Sequence, residues 1–430
     1  MFNALDIART AIGTAAKAVA KVPIADKHFR LNERLEGPWP EGPFLWMHGA
    51  SLGECKMLLN LARALQADIP DCPRILVTTQ KAEVLDFLRG ACKADASSEN
   101  SAGTSSDSEK TCEIEVSIAP ADTPVAMKKF AKSVKPIALV LGENELWPGY
   151  LSTMKRLCLK PSVAIVSGRF HAAIPGIDFS PIGFAGMQTG ADLSRFMNVA
   201  SRANIGSPII GSDWKLLPWA RANKPATDGT ATSDTTGNIQ ASEKSVDTFF
   251  VSMHLSEWAS LYRMADIATA SGETVVLAPR RLEEVPAFRR ALSEKKIPIV
   301  EWPQVQKGAV SIVDKFGLTK DIFAISKAAV IGGSFNRTLG VHDFWEPLQA
   351  GVATYVGPYS AGQAENVAAL VREGVISQLN SPEEFARKVI PDPKTVERFL
   401  AREKEKIEDS YRQFVDFVLG LLPTPNVKQP

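Results

Sequence analysis

Ten short, almost wholly apolar runs alternate with helical patterns along this chain. "FLWMHG", "RILVTTQ", "IALVLG", "SVAIVSG" and "PIIGS" stand in the first half, and "TFFVSMH", "TVVLAPR", "AVSIVDKFG", "AAVIGGS" and "VATYVGP" in the second. A strand that is apolar at nearly every position is buried on both faces, as in a parallel sheet with helices on either side. Parallel neighbours also need long crossovers, usually helical. Two such sets predict an α/β protein of two doubly wound, Rossmann-like domains with a cleft between them. At 430 residues the chain has the length for two or three domains.

Two polar stretches divide the pattern. "ADASSENSAGTSSDSEK" (Ala94 to Lys110) reads as a flexible surface insertion, and "PATDGTATSDTTGNIQASEKSVD" (Pro225 to Asp247) as a domain boundary. Neither carries enough apolar surface to offset the entropy of ordering it. The expected organisation is an N-terminal domain over 1–218, a flexible linker over 219–247 and a C-terminal domain over 248–430. The last segment, "TVERFLAREKEKIEDSYRQFVDFVLGLL", reads as a long amphipathic helix that can cross back to the first domain.

At the start, Phe2, Leu5, Ile12, Ala16 and Val19 fall near helical spacing, with Arg9, Lys17 and Lys21 mostly on the other side. Such a basic amphipathic helix either lies on an anionic membrane surface or packs on its own domain. It is not expected to span a bilayer, because Asp6 and Arg9 interrupt the apolar run. Nor is it expected to be a signal peptide, because it has no clean apolar core. A net charge of +1 gives no reason to expect nucleic acid as a partner. Five scattered cysteines without a C-x-x-C pair argue against a disulfide framework or zinc site and for a reducing compartment.

In open α/β sheets ligands bind beyond the carboxyl ends of the strands. In this chain those ends read "HGASLGE", "LGENELWP", "VSGRF", "SMHLSE", "APRR", "GGS" and "GP". In this order they resemble the signature words of the Kdo transferases, which move 3-deoxy-D-manno-oct-2-ulosonic acid onto lipid A. Ser51-Leu52-Gly53-Glu54 matches the family's S-V-G-E, and Glu143 to Pro148 its E-T-E-L-W-P. "SGRFH" keeps Arg169 of N-A/G-R-L-S. His254 to Trp258 resembles T-H-E-G-E-E, and Pro279 to Glu284 resembles P-R-H-P-E-R. "GGS" (Gly332 to Ser334), "HDFWEP" (His342 to Pro347) and Gly357-Pro358 complete the set. The similarity runs from about Phe29 to about Gly374. It departs from the family at Arg281, at Asp343, at Phe316-Gly317-Leu318 in place of M-G-E, and at Lys215, which needs one inserted residue.

The resemblance implies a GT-B glycosyltransferase that takes Kdo from CMP-Kdo to a lipid A precursor during lipopolysaccharide synthesis. The reaction would be inverting, without metal or cofactor, at the cytoplasmic face of the inner membrane. The acceptor would bind mainly the first domain and the donor mainly the second. The departures leave open a homologue that binds nucleotide or glycolipid without turnover, or a related GT-B enzyme using another nucleotide sugar.

Glycosyl transfer needs a base for the acceptor hydroxyl and a neutraliser for the departing phosphate. Glu54 suits the base, with Gly49 and Gly53 clearing space around it. It is equally what a first-turn helix carboxylate looks like, complementing the dipole. Glu143 and Glu145 would share a face if the strand continued, and the resemblance makes Glu143 the functional member. Trp147-Pro148 reads as a rigid turn. Glu54, Glu143 and Lys215 are thus the candidates for catalysis. Arg280, Arg281 and Lys215 suit a phosphate or the Kdo carboxylate, and the amides of "GGS" suit a phosphate. Glu346 suits ribose hydroxyls or helix capping, and Asp343, His254 and His342 are further ligand contacts. The resemblance adds Ser51, Gly53, Arg169, Glu257, Pro279, Phe316, Gly317, Leu318, Gly333 and Ser334 to the binding set. Two lone histidines are far from a metal site.

Overall fold

The computed structural model describes residues 30–100, 114–170, 177–200, 207–222 and 244–422. They form two compact units, Met1–Lys224 with Glu403–Pro430, and Pro225–Arg402. The amphipathic pattern at the N-terminus and most of the two polar stretches lie outside the described residues.

The first unit is a sheet of seven parallel strands: β1 (Phe44–His48), β2 (Ile75–Thr79), β3 (Ile114–Ile118), β4 (Pro136–Gly142), β5 (Val163–Gly168), β6 (Ile182–Met187) and β7 (Ser207–Ile210). Their order is β3-β2-β1-β4-β5-β6-β7. The helices are α1 (Leu31–Glu36), α2 (Leu52–Asp68), α3 (Ala82–Asn100), α4 (Pro124–Val134), α5 (Pro148–Leu157), α6 (Gly190–Ala200) and α7 (Leu217–Arg221). Two of their starts carry ordinary side-chain caps. Ser51 caps α2, and Thr123 caps α4 just ahead of Pro124.

The continuous apolar character of β1 has its expected cause, since all five residues are buried. Trp46 packs on Phe130 and Tyr150, with ring centroids at 4.6 and 4.8 Å, and its indole N–H donates to Thr78 Oγ1 at 2.8 Å.

The second unit repeats the plan with β8 (Val246–Met253), β9 (Thr274–Pro279), β10 (Ile299–Glu301), β11 (Ala309–Ile312), β12 (Ser326–Ile331), β13 (Ala353–Val356) and β14 (Ser377–Gln378). Their order is β10-β11-β9-β8-β12-β13-β14, again all parallel. Its helices are α8 (Trp258–Ala270), α9 (Val285–Glu294), α10 (Thr319–Ala324), α11 (Trp345–Gln349) and α12 (Ala364–Arg372). The core centres on Phe250, Met264, Leu277, Phe288, Val330 and Tyr355. The expected α/β class with two Rossmann-like sheets is borne out.

α13 (Pro393–Leu419) begins among the residues of the second unit, and from Glu403 on it counts with the first. There Ser410 Oγ accepts the Trp214 indole N–H at 3.0 Å, and Phe414 meets the Trp214 and Phe184 rings edge-on at 5.4 and 5.5 Å. Buried Glu403 accepts the hydroxyl hydrogen of Ser212.

Two stretches expected to be flexible are partly regular. α3 runs on through Ala94 to Asn100, and the linker span opens inside α7 and closes inside β8. Pro218 at the start of α7 fits the first helical turn, where its missing N–H costs nothing.

In each sheet the strand order reverses at one place, between β1 and β4 in the first and between β8 and β12 in the second. Loops diverge there and leave a crevice at the carboxyl ends. "HGASLGE" and "GENELWP" leave the first reversal, and "SMHLSE" and "GGS" leave the second.

Candidate functional site

Glu54 occupies the third position of α2 and is closed into a capping box. Its Oε2 accepts from Ala50 N at 2.8 Å and Ser51 N at 3.4 Å, and its Oε1 from Ser51 Oγ at 2.8 Å. Ser51 Oγ in turn accepts from Glu54 N at 3.2 Å. The capping reading is therefore fully realised. Yet Glu54 is only 8% exposed. Burial, and then the negative charge of Glu143, push its pKa above the ordinary carboxylate value, against the hydrogen bonds from Ser51 and Ala50. A helix cap on the surface gains no such shift. The two descriptions belong to one side chain, held still by its cap and made more basic by its surroundings.

The neighbouring glycines serve packing rather than open space. A Cβ on Gly49 would stand 3.0 Å from Glu54 Cβ and 3.2 Å from Leu58 Cδ1. A Cβ on Gly53 would stand 3.4 Å from Lys215 Cε. Gly49 thus lets α2 close onto β1, and Gly53 lets Lys215 pass beside the first turn. Both positions correct the expectation of cleared room.

Glu143 follows β4 with a left-handed backbone (φ 51°), so the strand does not continue and Glu143 and Glu145 part company. Glu143 is buried and takes two cations, Lys215 Nζ at 2.7 Å on Oε1 and the Arg169 guanidinium on Oε2. Asp213, next to Lys215, accepts from Lys215 N at 3.0 Å and Ser167 Oγ at 3.1 Å. Burial works against the Lys215 charge, but Asp213 and Glu143 outweigh it and raise its pKa. Lys215 is a fixed cation. Glu145 turns instead to the Trp147 indole N–H, which it accepts at 2.6 Å, and to His48 Nε2 at 3.6 Å. Burial would raise the Glu145 pKa, yet His48, Trp147 and Lys81 hold it below the usual value. Cys55, beside Glu54, is a buried thiol pushed up to about 12 mainly by burial, which leaves it no nucleophile.

Ser51, Gly53, Glu54, Glu143, Arg169 and Lys215 therefore gather around the strand ends of the first unit. Two members of this cluster, His48 and Asp213, had no assigned role. Both sit inside quoted words, "HGASLGE" and "GSDWK", where the more obvious Glu54 and Lys215 drew the assignment.

In the second unit, Glu257 is buried and spends its carboxylate inside the protein. Oε2 accepts from His254 N at 3.0 Å and Gly333 N at 2.8 Å, and Oε1 from Phe335 N at 3.0 Å. The Gly333 amide of "GGS" and the Phe335 amide just after it are thereby taken, and the Gly332 amide donates to Val251 O at 2.8 Å. This corrects two expectations. Glu257 is a clip between the β8 and β12 ends, and those three amides are not free for a phosphate. Ser334 is likewise internal, its Oγ accepting from Gly357 N at 2.8 Å. Gly332 and Gly333 are required by close approach, since a Cβ on either would lie 2.1 Å from a carbonyl oxygen.

His254 and His342 meet at 2.7 Å, Nε2 to Nε2, so one ring donates and the other accepts. Burial lowers both, with Arg280 and Arg281 adding to it at His254, and Arg280 and His254 bringing His342 to about 4. Both rings are neutral at pH 7. Pro279 ends β9 buried, while Arg280 and Arg281 are exposed beyond it, the Arg280 amide held by Met253 O at 2.8 Å. Asp343 accepts from Trp345 N at 2.8 Å in the turn that leads into α11, where Glu346 is exposed. Phe316, Gly317 and Leu318 form a turn after β11 with Phe316 largely exposed. Among the described residues no group of three or more His, Cys, Asp or Glu could hold a metal ion.

Residues 28–174 match the family model of the 3-deoxy-D-manno-octulosonic-acid (Kdo) transferases. The chain is 24% identical over 354 residues to the 3-deoxy-D-manno-octulosonic acid transferase of Chlamydia pneumoniae, covering 78% of this chain and 74% of that protein. It is 23% identical over 369 residues to the one from Aquifex aeolicus, covering 86% and 90%. Among solved structures it resembles a glycosyltransferase from Rickettsia africae, with a TM-score of 0.51 and 9% identity over 89% of this chain and 100% of that one, a likeness of fold. The resemblance carried by the strand-end words is borne out.

Proposed function

We propose that this glycosyltransferase, a relative of the Kdo transferases, moves Kdo from CMP-Kdo to a hydroxyl of a lipid A precursor with inversion at the anomeric carbon. In the step, the acceptor O–H bond breaks and its proton passes to Glu54. The oxygen forms a bond to the anomeric carbon of Kdo while the bond from that carbon to the phosphate oxygen breaks. CMP leaves with the electron pair. The observation that carries this reading is the Glu54 carboxyl, fixed by its cap at the strand-order reversal and raised toward neutral pH by burial and Glu143. A base tuned in that direction is better matched to a sugar hydroxyl at physiological pH.

Lys215 and Arg169 pair with Glu143 and hold its carboxylate in place. In the second unit Arg280 and Arg281 are exposed cations whose charges act on His254, and they suit the CMP phosphate. The basic amphipathic pattern at the start of the chain supports action at the cytoplasmic face of the inner membrane. Among the described residues no helix is long and apolar enough to cross a membrane.

Incubation with CMP-Kdo and a lipid A precursor, followed by mass spectrometry, tests the reaction. Glu54→Gln lowers turnover by about 10² to 10⁴ if Glu54 is the base, and full activity in that variant overturns the role. A second reading, binding without turnover, is favoured by the capping bonds that already occupy Glu54. Calorimetry that finds CMP binding beside a silent transfer assay selects it.

A further inference from the structure

Beneath Glu54 lies a buried histidine with one ring nitrogen unaccounted for. His48 is the last residue of β1 and has no exposed surface. Its Nδ1 is 3.0 Å from Thr78 Oγ1, while its Nε2 has no partner within hydrogen-bond distance and points at Glu145 Oε2, 3.6 Å away. Thr78 Oγ1 already accepts from the Trp46 indole at 2.8 Å, and its single hydrogen has two possible takers, Met47 O at 3.2 Å or His48 Nδ1. If it goes to Met47, His48 Nδ1 must donate, and Nε2 is then a bare acceptor against a carboxylate. If it goes to His48 Nδ1, the ring proton sits on Nε2. The Glu145 carboxylate 3.6 Å from Nε2 favours the second arrangement, in which the Nε2 proton faces it.

We propose that His48 and Glu145 form a positioning pair for Glu54, bracing the carboxyl end of β1 against that of β4 and setting the charge that Glu54 faces. This rests on the reading of Glu54 as the base. The brace is direct. His48 is tied to β2 through Thr78, and Glu145 stands three residues after β4. Gly142, at the end of β4, would bring a Cβ within 3.6 Å of both Glu54 Cβ and His48 O, so a shift of that end moves the base. The charge is also direct. Glu54 faces Glu143 and Glu145, with Cys55 beside it and Lys215 across Gly53. Glu145 faces His48, the Trp147 indole and Lys81. Arg169 and Lys215 compensate Glu143, which leaves His48 as the neighbour within ion-pair distance of Glu145.

The test uses the full chain with Glu145→Gln and His48→Gln, assayed with CMP-Kdo and a lipid A precursor across pH. In parallel, the Glu54 carboxyl is titrated by NMR in protein labelled with 13C-carboxyl glutamate and assigned by its loss in Glu54→Gln. Glu145→Gln is expected to lower kcat about tenfold with KM nearly unchanged, and to move both the acid limb and the Glu54 midpoint to lower pH. His48→Gln is expected to move both to higher pH, because Glu145 loses the donor that offsets it. A purely structural role moves neither, and midpoints that stay put or move in the same direction overturn the proposal. If Glu145→Gln does not fold, Trp147→Phe removes the other donor to Glu145, and its Glu54 midpoint must then rise. A wild-type chain silent toward CMP-Kdo removes the proposed reaction, while the NMR midpoints still decide the pair.

Discussion

Replacing Glu257 separates a structural carboxylate from a ligand-binding one. It is 2% exposed and accepts three backbone N–H groups, from His254, Gly333 and Phe335 at 2.8 to 3.0 Å. In Glu257→Gln, one amide oxygen can still serve the two donors that converge on Oε2, but the new NH2 group faces the Phe335 N–H donor to donor. One charge-assisted bond is lost, at a cost of about 1.5–3 kcal/mol. In Glu257→Ala all three donors lose their acceptor, and with each unmade buried bond costing about 1–3 kcal/mol the total is at least about 3 kcal/mol. That is a large part of the roughly 5–15 kcal/mol available to a folded domain. Urea unfolding followed by tryptophan fluorescence and far-ultraviolet dichroism measures it, in the transition that carries the second unit. The expected ranking is wild type above Gln above Ala. The reasoning fails if Gln matches wild type in stability while CMP binding is lost, because the carboxylate would then be serving a ligand and not the amides.

Other substitutions probe the same two strand-order reversals. Gly332→Ala places a Cβ 2.1 Å from Ser252 O, a backbone atom, and is expected to abolish folding, whereas Gly53→Ala meets Lys215 at an ordinary 3.4 Å and should stay within about 1 kcal/mol by thermal melting. The raised pKa of Glu54 means that transfer falls, on acidification, at higher pH than an ordinary carboxylate would give, as a kcat/KM profile will show. The same shift makes the buried anion a liability: its stabilising contribution is present below the unfolded pKa and lost as pH rises, so Glu54→Gln should gain stability relative to wild type as pH climbs through the carboxylate range. His342 has the opposite sign of dependence, its folded pKa of about 4 lying below the ordinary histidine value of 6.5. Folding stability should fall as pH drops through that window, and denaturation of His342→Gln across pH should show a flatter profile.

The strands that sequence made legible are mostly buried, apart from edge strand β7 with its exposed Ile210, and the four it missed have physical reasons to be faint. β3, β10 and β14 are at or beside sheet edges, the last only two residues long, so each lacks the neighbours that force a continuous apolar run. β6 is central, yet "IGFAGM" carries two glycines, which weaken any strand signal. Gly183 is there because a Cβ would come 2.6 Å from the Phe417 ring on α13 and 2.8 Å from Pro161 O. Its signal lies more than two hundred residues away, in a helix that returns to pack on this sheet. The site shows the same division. Residue types at the strand ends announced where chemistry gathers, because loops that diverge from a parallel sheet have little packing to do there. Which acids were free to act did not show, because that depends on which backbone amides each one meets. Glu54 and Glu257 open their turns with the same three-residue spacing from Ser51 and His254, and each folds back onto its cap. Glu54 is left with its pKa raised, beside Glu143. Glu257 is consumed by Gly333 and Phe335, whose amides reach it from a strand seventy residues on. Equivalent spacing therefore left a carboxylate with a raised pKa in one unit and a clip in the other, and the difference lies in what the neighbouring strand brings to the end of the turn.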